Sequence, residues 1–386
     1  MNVKEKDSLY IANTYARFPI VLKSGKGSLV YDNEGSEYID LATGIAVNTF
    51  GYCDSEWVSA VTNQLNTLQH ASNLYYTEPC TRLAEMLVLK TGMKKVFFSN
   101  SGAEANECAI KTARKYASEK KGSDYYTIIT LKNSFHGRTI TTLAATGQEV
   151  FHTDFQPLTE GFTYVEANNS AELVKTVENG KIAAIMFECV QGEGGVTPLN
   201  DEFVKTIFDL AAEYDILTIA DEVQCGNGRT GKLYGFMNFG VTPDIFTTAK
   251  GLAGGLPLGA TVLCEKVKDV LTPGSHGSTF GANPIACAGA ISILERIDDK
   301  LLADVNKKSD YIIKRLQGAK GIKSISGMGL MLGIETEKDA SAVIDTCLNN
   351  GVLVIKAKNK VRLLPALNIP FELLEKALDV LLKACE

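Results

Sequence analysis

The chain has 386 residues, 45% of them hydrophobic and 22% charged, with a net charge of -6. That length and apolar content suit a globular chain of about two to three domains around a large core. Dispersed Lys and Arg argue against nucleic acid as a partner, and no apolar run is long enough to cross a bilayer.

The nine cysteines are scattered and form no CxxC pair, which points to reduced thiols in a cytoplasmic protein rather than to disulfides or zinc. The four histidines have no metal-ligand spacing, so no metal is expected. The first residues lack the apolar stretch of a signal peptide.

In chain order, residues 1–58 read as short strands and turns. Asn33-Glu34-Gly35 between two alternating runs is a hairpin signal. Helices are predicted over 56–68 and from Glu78-Pro79 to a stop near Gly92. Strands and helices then alternate: strand 95–99, helix 101–116, strand 126–130, helix 171–177, strand 183–189, helix 201–214, strand 216–220. Such alternation builds a mainly parallel sheet covered by helices. Past residue 275 the pattern changes. A long helical stretch, 284–297 and on through 316, precedes short strands at 331–335 and 352–356 and a last helix over 372–385. The expected division is an N-terminal segment, 1–58, a large domain, 59–275, and a smaller α+β domain, 276–386, against which the N-terminal segment packs.

Two apolar runs, 216–220 and 245–249, end in Asp221-Glu222 and in Lys250-Gly251. Runs apolar throughout suit strands buried on both faces, and ligands of such sheets sit outside the carboxyl ends of the strands. Asp221 and Lys250 are thus expected in one crevice. Burial lowers the pKa of a lysine and makes it a nucleophile toward a carbonyl. A carboxylate facing it suits a pyridinium nitrogen, and the two together make the pyridoxal-phosphate (PLP) arrangement. A structural ion pair is the plainer alternative.

Other stretches carry chemistry with plainer alternatives beside them. Ser101-Gly102-Ala103-Glu104 has a capping-box pattern, and its small residues leave helix N–H groups open to a phosphate; an ordinary cap would look the same. Phe135 and Arg138, in Ser134-Phe135-His136-Gly137-Arg138-Thr139, offer a ring to stack on a flat cofactor and a clamp for a carboxylate, or a core Phe and a solvated Arg. Glu188 and Glu193 set two acids at another strand end, where Glu193 between glycines is either a mobile site residue or a solvated loop acid. Gly226-Asn227-Gly228-Arg229-Thr230-Gly231 matches the dinucleotide fingerprint. Residues 221–224 separate it from the strand, however, and no helix periodicity follows, so the match is rejected. The Gly/Ser/Thr loop at 274–284 suits either phosphate or a domain-boundary turn.

Taken together and in order, SNSGAEANE, SFHGRT, the DEVQ acid, AKG and GSTFGANP resemble the class III aminotransferases, PLP enzymes of fold type I, over nearly the whole chain. Within the class, FHGRT, ECVQGEGGV, DEVQCGNGRTG and VRLLPAL look most like the acetylornithine aminotransferases. The resemblance implies an α/β fold with a mainly parallel central sheet and a smaller α+β domain. It implies PLP as cofactor: Lys250 as the Schiff-base lysine, Asp221 on the pyridine nitrogen, Val223 under the ring, Gln224 at the ring hydroxyl and Phe135 on the other face. Ser101, Gly102 and Ala103 would bind the phosphate, joined by Ser278 and Thr279 from the neighbouring subunit of a homodimer. Arg138 would take the substrate carboxylate, and Glu193 and Arg362 would form a switch pair. The implied substrates are N-acetylornithine, 2-oxoglutarate and glutamate, in arginine biosynthesis.

Donors such as ornithine, succinylornithine, acyl-lysine or 4-aminobutyrate fit the same class. A PLP-binding regulatory module is disfavoured because the lysine is kept and no DNA-binding appendage is present. A nicotinamide dehydrogenase rests only on the rejected fingerprint. Two stretches depart from the class pattern: Gly51-Tyr52-Cys53-Asp54-Ser55-Glu56 replaces Gly-His-x-His-Pro, and Gly281-Ala282-Asn283-Pro284 replaces Gly-Gly-Asn-Pro.

Overall fold

The computed structural model describes all residues, Met1–Glu386. Its largest sheet has seven strands, in the order Lys95–Ser99, Gly259–Leu263, Ile245–Thr248, Leu217–Asp221, Ile182–Phe187, Thr127–Leu131, Phe162–Val165. Gly259–Leu263 pairs antiparallel on both sides, and all other neighbours are parallel. The central strands Ile182–Phe187, Leu217–Asp221 and Ile245–Thr248 are buried along their whole length. Their period-2 alternation feeds two cores. Met186, Ile219 and Ile245 face the core shared with Ala109, Ile110 and Ala113 of the helix Gly102–Lys121. Ile185, Phe187, Ala220 and Phe246 join the core on the opposite face.

The predicted elements occur in the predicted order, with shifted ends, but the first residues, expected as strands and turns, form the helix Val3–Tyr10, which Asn2 and Glu5 cap. The helix from Ser101 runs on to Lys121, where Gly122 closes it. The stretch 284–316 is two helices, Pro284–Arg296 and Asp299–Leu316, because Asp298 accepts the Leu301 N–H and starts a new cap. Gly259–Leu263 was not predicted at all. Helix Pro284–Arg296 packs on Ser55–Leu65 and Glu78–Thr91 and buries Ala286, Cys287 and Leu294 in the large-sheet core. Packing, unlike the change of sequence pattern, groups it with the large sheet.

A second core lies around the antiparallel sheet Ile322–Met328, Met331–Thr336, Lys360–Leu363, Ile355–Ala357, under Asp299–Leu316, Ala340–Asn349 and Phe371–Cys385. The predicted hairpin forms: Leu29–Asp32 pairs with Glu37–Asp40, and Val352–Leu353 adds to it in parallel. N-terminal and C-terminal segments thus share one sheet. No helix is long and apolar enough to cross a membrane.

One strained element joins the two cores. Thr43, Gly44, Ile45 and Ala46 have φ of 50, 64, 66 and 61°, a left-handed turn that β-branched residues avoid. The surroundings hold it in place. The Asp40 carboxylate accepts from the N–H groups of Ala42 and Thr43, Thr43 Oγ1 donates to the Leu364 carbonyl, and Thr49 Oγ1 donates to the Gly251 carbonyl. The turn and Thr49 just beyond it therefore tie the residue after Lys250 to Leu364, which follows the strand that carries Arg362.

Candidate active site

Asp221 ends its strand opposite Thr247, and Lys250 lies three residues beyond that partner, so the register sets both at the carboxyl edge of the sheet. Both line one cavity of about 450 Å³. Ser101, Gly102, Ala103, Phe135 and Arg138 line it from one side, and Glu193, Val223 and Gln224 from another.

Lys250 has φ 45°, a left-handed conformation rare for a side chain of its size. Asn227 steadies its approach, with Nδ2 donating to Thr248 Oγ1 at 3.1 Å and to the Ala249 carbonyl at 3.2 Å. Burial pushes the Lys250 pKa down, and the charges of Glu193 and Asp221 recover only part of the shift. Asp221 is held by other groups. Its Oδ2 accepts from His136 Nδ1 and from Asn106 Nδ2, each at 2.8 Å, and its Oδ1 accepts from the Val223 N–H at 3.0 Å. No ion pair joins Asp221 to Lys250; the plainer alternative is thereby excluded, and the lysine amine is left for a ligand. Neither His136 nor Asn106 was singled out from the sequence. His136 stood inside SFHGRT, but nothing in the letters tied it to a residue 85 positions away.

At the other end of the cavity, Ser101 caps the helix Gly102–Lys121 by accepting the Glu104 N–H at 3.2 Å. The predicted box is shifted by one: Glu104 Oε2 takes the Asn100 N–H at 2.7 Å. No group of the chain accepts the N–H of Gly102 or Ala103, which suits an anion. A Cβ on Gly102 would stand 2.7 Å from Val223 Cγ1, so only glycine leaves both the helix end and the Val223 face clear. Phe135 is half-buried at the cavity wall, edge-on to Phe151. Arg138 is exposed, its guanidinium 4.8 Å from the Phe151 ring centre, and it has no ion-pair partner.

Arg362 is 2% exposed and does not line the cavity. Its NH1 donates to Glu193 Oε1 at 2.6 Å and its NH2 to Glu193 Oε2 at 3.2 Å, a two-pronged pair. The cavity thus meets the carboxylate and not the guanidinium. Burial raises the Glu193 pKa, but the Arg362 charge and hydrogen bonds outweigh it and leave the carboxyl below its usual value. Ser278 and Thr279 do not reach the cavity within one chain. Ser278 Oγ accepts from Gly281 N–H and Asn100 Nδ2, and Thr279 is exposed.

The rejected fingerprint has a structural use. Arg229 is buried and donates to the carbonyls of Leu330 and Pro365, joining the loop after Asp221 to the second core. A Cβ at Gly231 would lie 2.0 Å from Asn306 Oδ1, so this glycine serves close packing and not a nucleotide.

A lysine amine without a partner, an acid fixed by three donors, open helix N–H groups and an aromatic wall fit PLP. These parts, on this sheet, define a PLP-dependent enzyme of fold type I. Comparison with known proteins narrows the class: the family model Aminotransferase class-III matches residues 10–385, and the chain belongs to that family. It is 49% identical to the acetylornithine aminotransferase of Haemophilus ducreyi, over 98% of this chain and 97% of that one. It is 44% identical to that of Methanocaldococcus jannaschii, over 96% and 95%. Among solved structures, the N-acetylornithine aminotransferase of Stenotrophomonas maltophilia aligns with TM-score 0.85 at 35% identity, covering 98% of this chain and 97% of that chain. The ornithine aminotransferase of Toxoplasma gondii aligns with TM-score 0.94 at 32% identity, covering 99% and 93%.

Proposed function

We infer that the chain transfers the ω-amino group of N-acetylornithine to 2-oxoglutarate, the reaction its resemblance places in arginine biosynthesis. The observation that carries this reading is the cover that Glu193 forms over Arg362, with Arg138 free at the same cavity. An ω-amine donor carries no charge beside its reacting carbon and needs no cation there. 2-Oxoglutarate has a carboxylate beside its reacting carbonyl and does need one. In the donor half-reaction Glu193 cancels the Arg362 charge while Arg138 holds the distant carboxylate. In the acceptor half-reaction Glu193 moves off, Arg362 takes the α-carboxylate and Arg138 keeps the far one. Lys250 Nζ, with its depressed pKa, takes and returns the proton of the reacting carbon as general base and acid. PLP, when bound, supplies the electron sink for that carbon.

The choice of an acylated donor draws its support from the relatives: those named acetylornithine aminotransferases reach 49% identity, whereas the ornithine aminotransferase structure stands at 32%. A homodimer is part of the reading. Ser278 and Thr279 lie outside their own cavity, and Leu74, Tyr75 and Tyr76 are 87%, 72% and 100% exposed, an apolar surface suited to a second copy. The free cysteines support a cytoplasmic setting.

An amino-donor panel with 2-oxoglutarate tests the reading: acetylornithine, succinylornithine, ornithine, acetyl-lysine and 4-aminobutyrate. The highest kcat/KM is expected for acetylornithine, and a higher value for free ornithine or 4-aminobutyrate would overturn the donor assignment.

A further inference from the structure

We propose that Gln224 is a third member of the Glu193–Arg362 pair, the residue that keeps Arg362 aimed when Glu193 leaves it. The proposal rests on the alternating-charge reading given above.

The Gln224 amide touches both partners. Its Nε2 donates to Glu193 Oε1 at 3.3 Å, and its Oε1 accepts from Arg362 NH1 at 3.0 Å. Chemistry settles which end is which. A guanidinium only donates and a carboxylate only accepts, so the flipped amide would set N–H against N–H and oxygen against oxygen. Space for the amide comes from Gly192. A Cβ there would stand 2.4 Å from Gln224 Oε1 and 2.7 Å from Nε2. The backbone of Gly192 is not left-handed, so glycine is required for room and not for conformation.

The energetics give the amide its task. Arg362 is buried, and its Nε has no partner. While Glu193 is in place the charge is matched. Once Glu193 moves, the remaining acceptors are Gln224 Oε1 and, at 3.4 Å, the Lys356 carbonyl. A buried cation stripped of acceptors carries a large penalty, and a long side chain escapes it by turning away. Two neutral oxygens hold NH1 and NH2 where they were without cancelling the charge. Gln224 is therefore a positioning residue: neutral enough to leave Arg362 cationic, and polar enough to keep it oriented. A carboxylate at this position would neutralise Arg362 in both half-reactions.

The test uses the PLP-loaded protein and three readouts: single-turnover rates of each half-reaction, cofactor content by absorbance, and calorimetric binding of glutarate, a dicarboxylate that cannot react. Gln224→Glu is expected to slow the 2-oxoglutarate half-reaction and weaken glutarate binding by about ten-fold or more, the worth of one hydrogen bond to a charged group. The N-acetylornithine half-reaction, which meets the same cavity wall, should lose at least about three-fold less than the 2-oxoglutarate half-reaction. Gly192→Ala leaves the amide chemistry but displaces it, and should move the same half-reaction; it decides alone if Gln224→Glu fails to fold or to hold cofactor. Equal losses in both halves, or unchanged glutarate affinity at full cofactor content, would overturn the proposal. Glu193→Ala and Arg362→Ala run alongside. Asymmetry between the half-reactions in these two but not in Gln224→Glu refutes this inference alone, whereas symmetry in every variant refutes the reading of the pair itself.

Discussion

His136 Nδ1 and Asp221 Oδ2 lie 2.8 Å apart with both side chains buried, so the acid of the site is anchored by a histidine rather than by the lysine across the cavity. The carboxylate only accepts, which places the hydrogen on Nδ1. Asn106 braces the same oxygen at 2.8 Å and also donates to the His136 carbonyl, while its own carbonyl accepts from Thr247 Oγ1 at 2.7 Å. A helix, a loop and a strand thus converge on one carboxylate. Removing the histidine leaves a buried acceptor short of a partner, at about 1–3 kcal/mol. His136→Ala is expected to weaken PLP binding by about ten- to a hundred-fold. His136→Gln, which can still donate, should recover part of it. Absorbance titration of the cofactor-free protein measures both, and an unchanged PLP affinity in His136→Ala would remove the anchor role.

Lys250 predicts a pH dependence of stability. Its native pKa is depressed by burial, so between that value and about 10.4 the unfolded chain binds more protons than the native one. Stability of the cofactor-free protein then rises with pH across this window. Lys250→Met removes the titrating group and abolishes covalent cofactor retention. Its thermal midpoint, cofactor-free, should exceed that of the unsubstituted protein at neutral pH, and the gap should close toward pH 10. A gap that stays constant would mean that the amine is not desolvated.

Half of the site was legible because its chemistry is written in local patterns. Lys250 and Asp221 each end an apolar run, and the run itself states burial and edge. Glu193, Arg138 and the Ser101 cap stand beside glycines or strand ends in the same way. His136 and Asn106 escaped notice because their roles depend on contacts across the sheet, 85 and 115 positions away in sequence. The left-handed turn at Thr43–Ala46 is invisible in its letters, since three of its four residues are not glycine and tertiary bonds alone impose the conformation. Gly259–Leu263 was missed for a related reason: a five-residue run opening with Gly-Ala carries little strand propensity, and its place between two strands supplies the rest. The fingerprint at 226–231 shows the reverse error that context prevents, identical letters put to use as a joint through Arg229.

The stretch that departs from the class pattern is structural at both ends. Tyr52 OH donates to Asp40 Oδ2 at 2.8 Å, bracing the carboxylate that holds the left-handed turn. Asp54 caps the helix Ser55–Leu65 by accepting the Trp57 N–H at 3.0 Å and pairs with Arg296 NH1 at 2.8 Å. Asp54→Ala should cost about 1–2 kcal/mol of stability, the worth of a cap with a partly buried ion pair. KM for either substrate should not change, since Asp54 does not line the cavity. Denaturant melts and steady-state kinetics check the two halves of this prediction, and a KM shift without a stability loss would make the stretch part of the substrate entrance.

Glu188 ties two functional loops together. Its Oε1 accepts the Phe135 N–H at 2.9 Å and its Oε2 the Gly192 N–H at 3.1 Å, so one buried carboxylate sets both the aromatic wall and the segment leading to Glu193. Burial pushes its pKa up to about 7, against the opposing pull of His136 and of those two N–H groups. Ionised, the group satisfies both donors; protonated, it loses one acceptor. Activity should therefore fall as pH drops through about 7. Stability should run the other way. The folded pKa lies above the unfolded value of about 4.3, so the unfolded chain sheds its proton first and stability is lost as pH rises from there toward 7. Glu188→Gln does not titrate. It is expected to flatten both profiles between pH 4.5 and 7 and to lower activity at pH 8, because an amide offers one acceptor where two are needed. Rate and thermal midpoint recorded on the same pH series decide the matter. Profiles that move in the same direction in the unsubstituted protein, or that persist unchanged in Glu188→Gln, would assign the transition to another group.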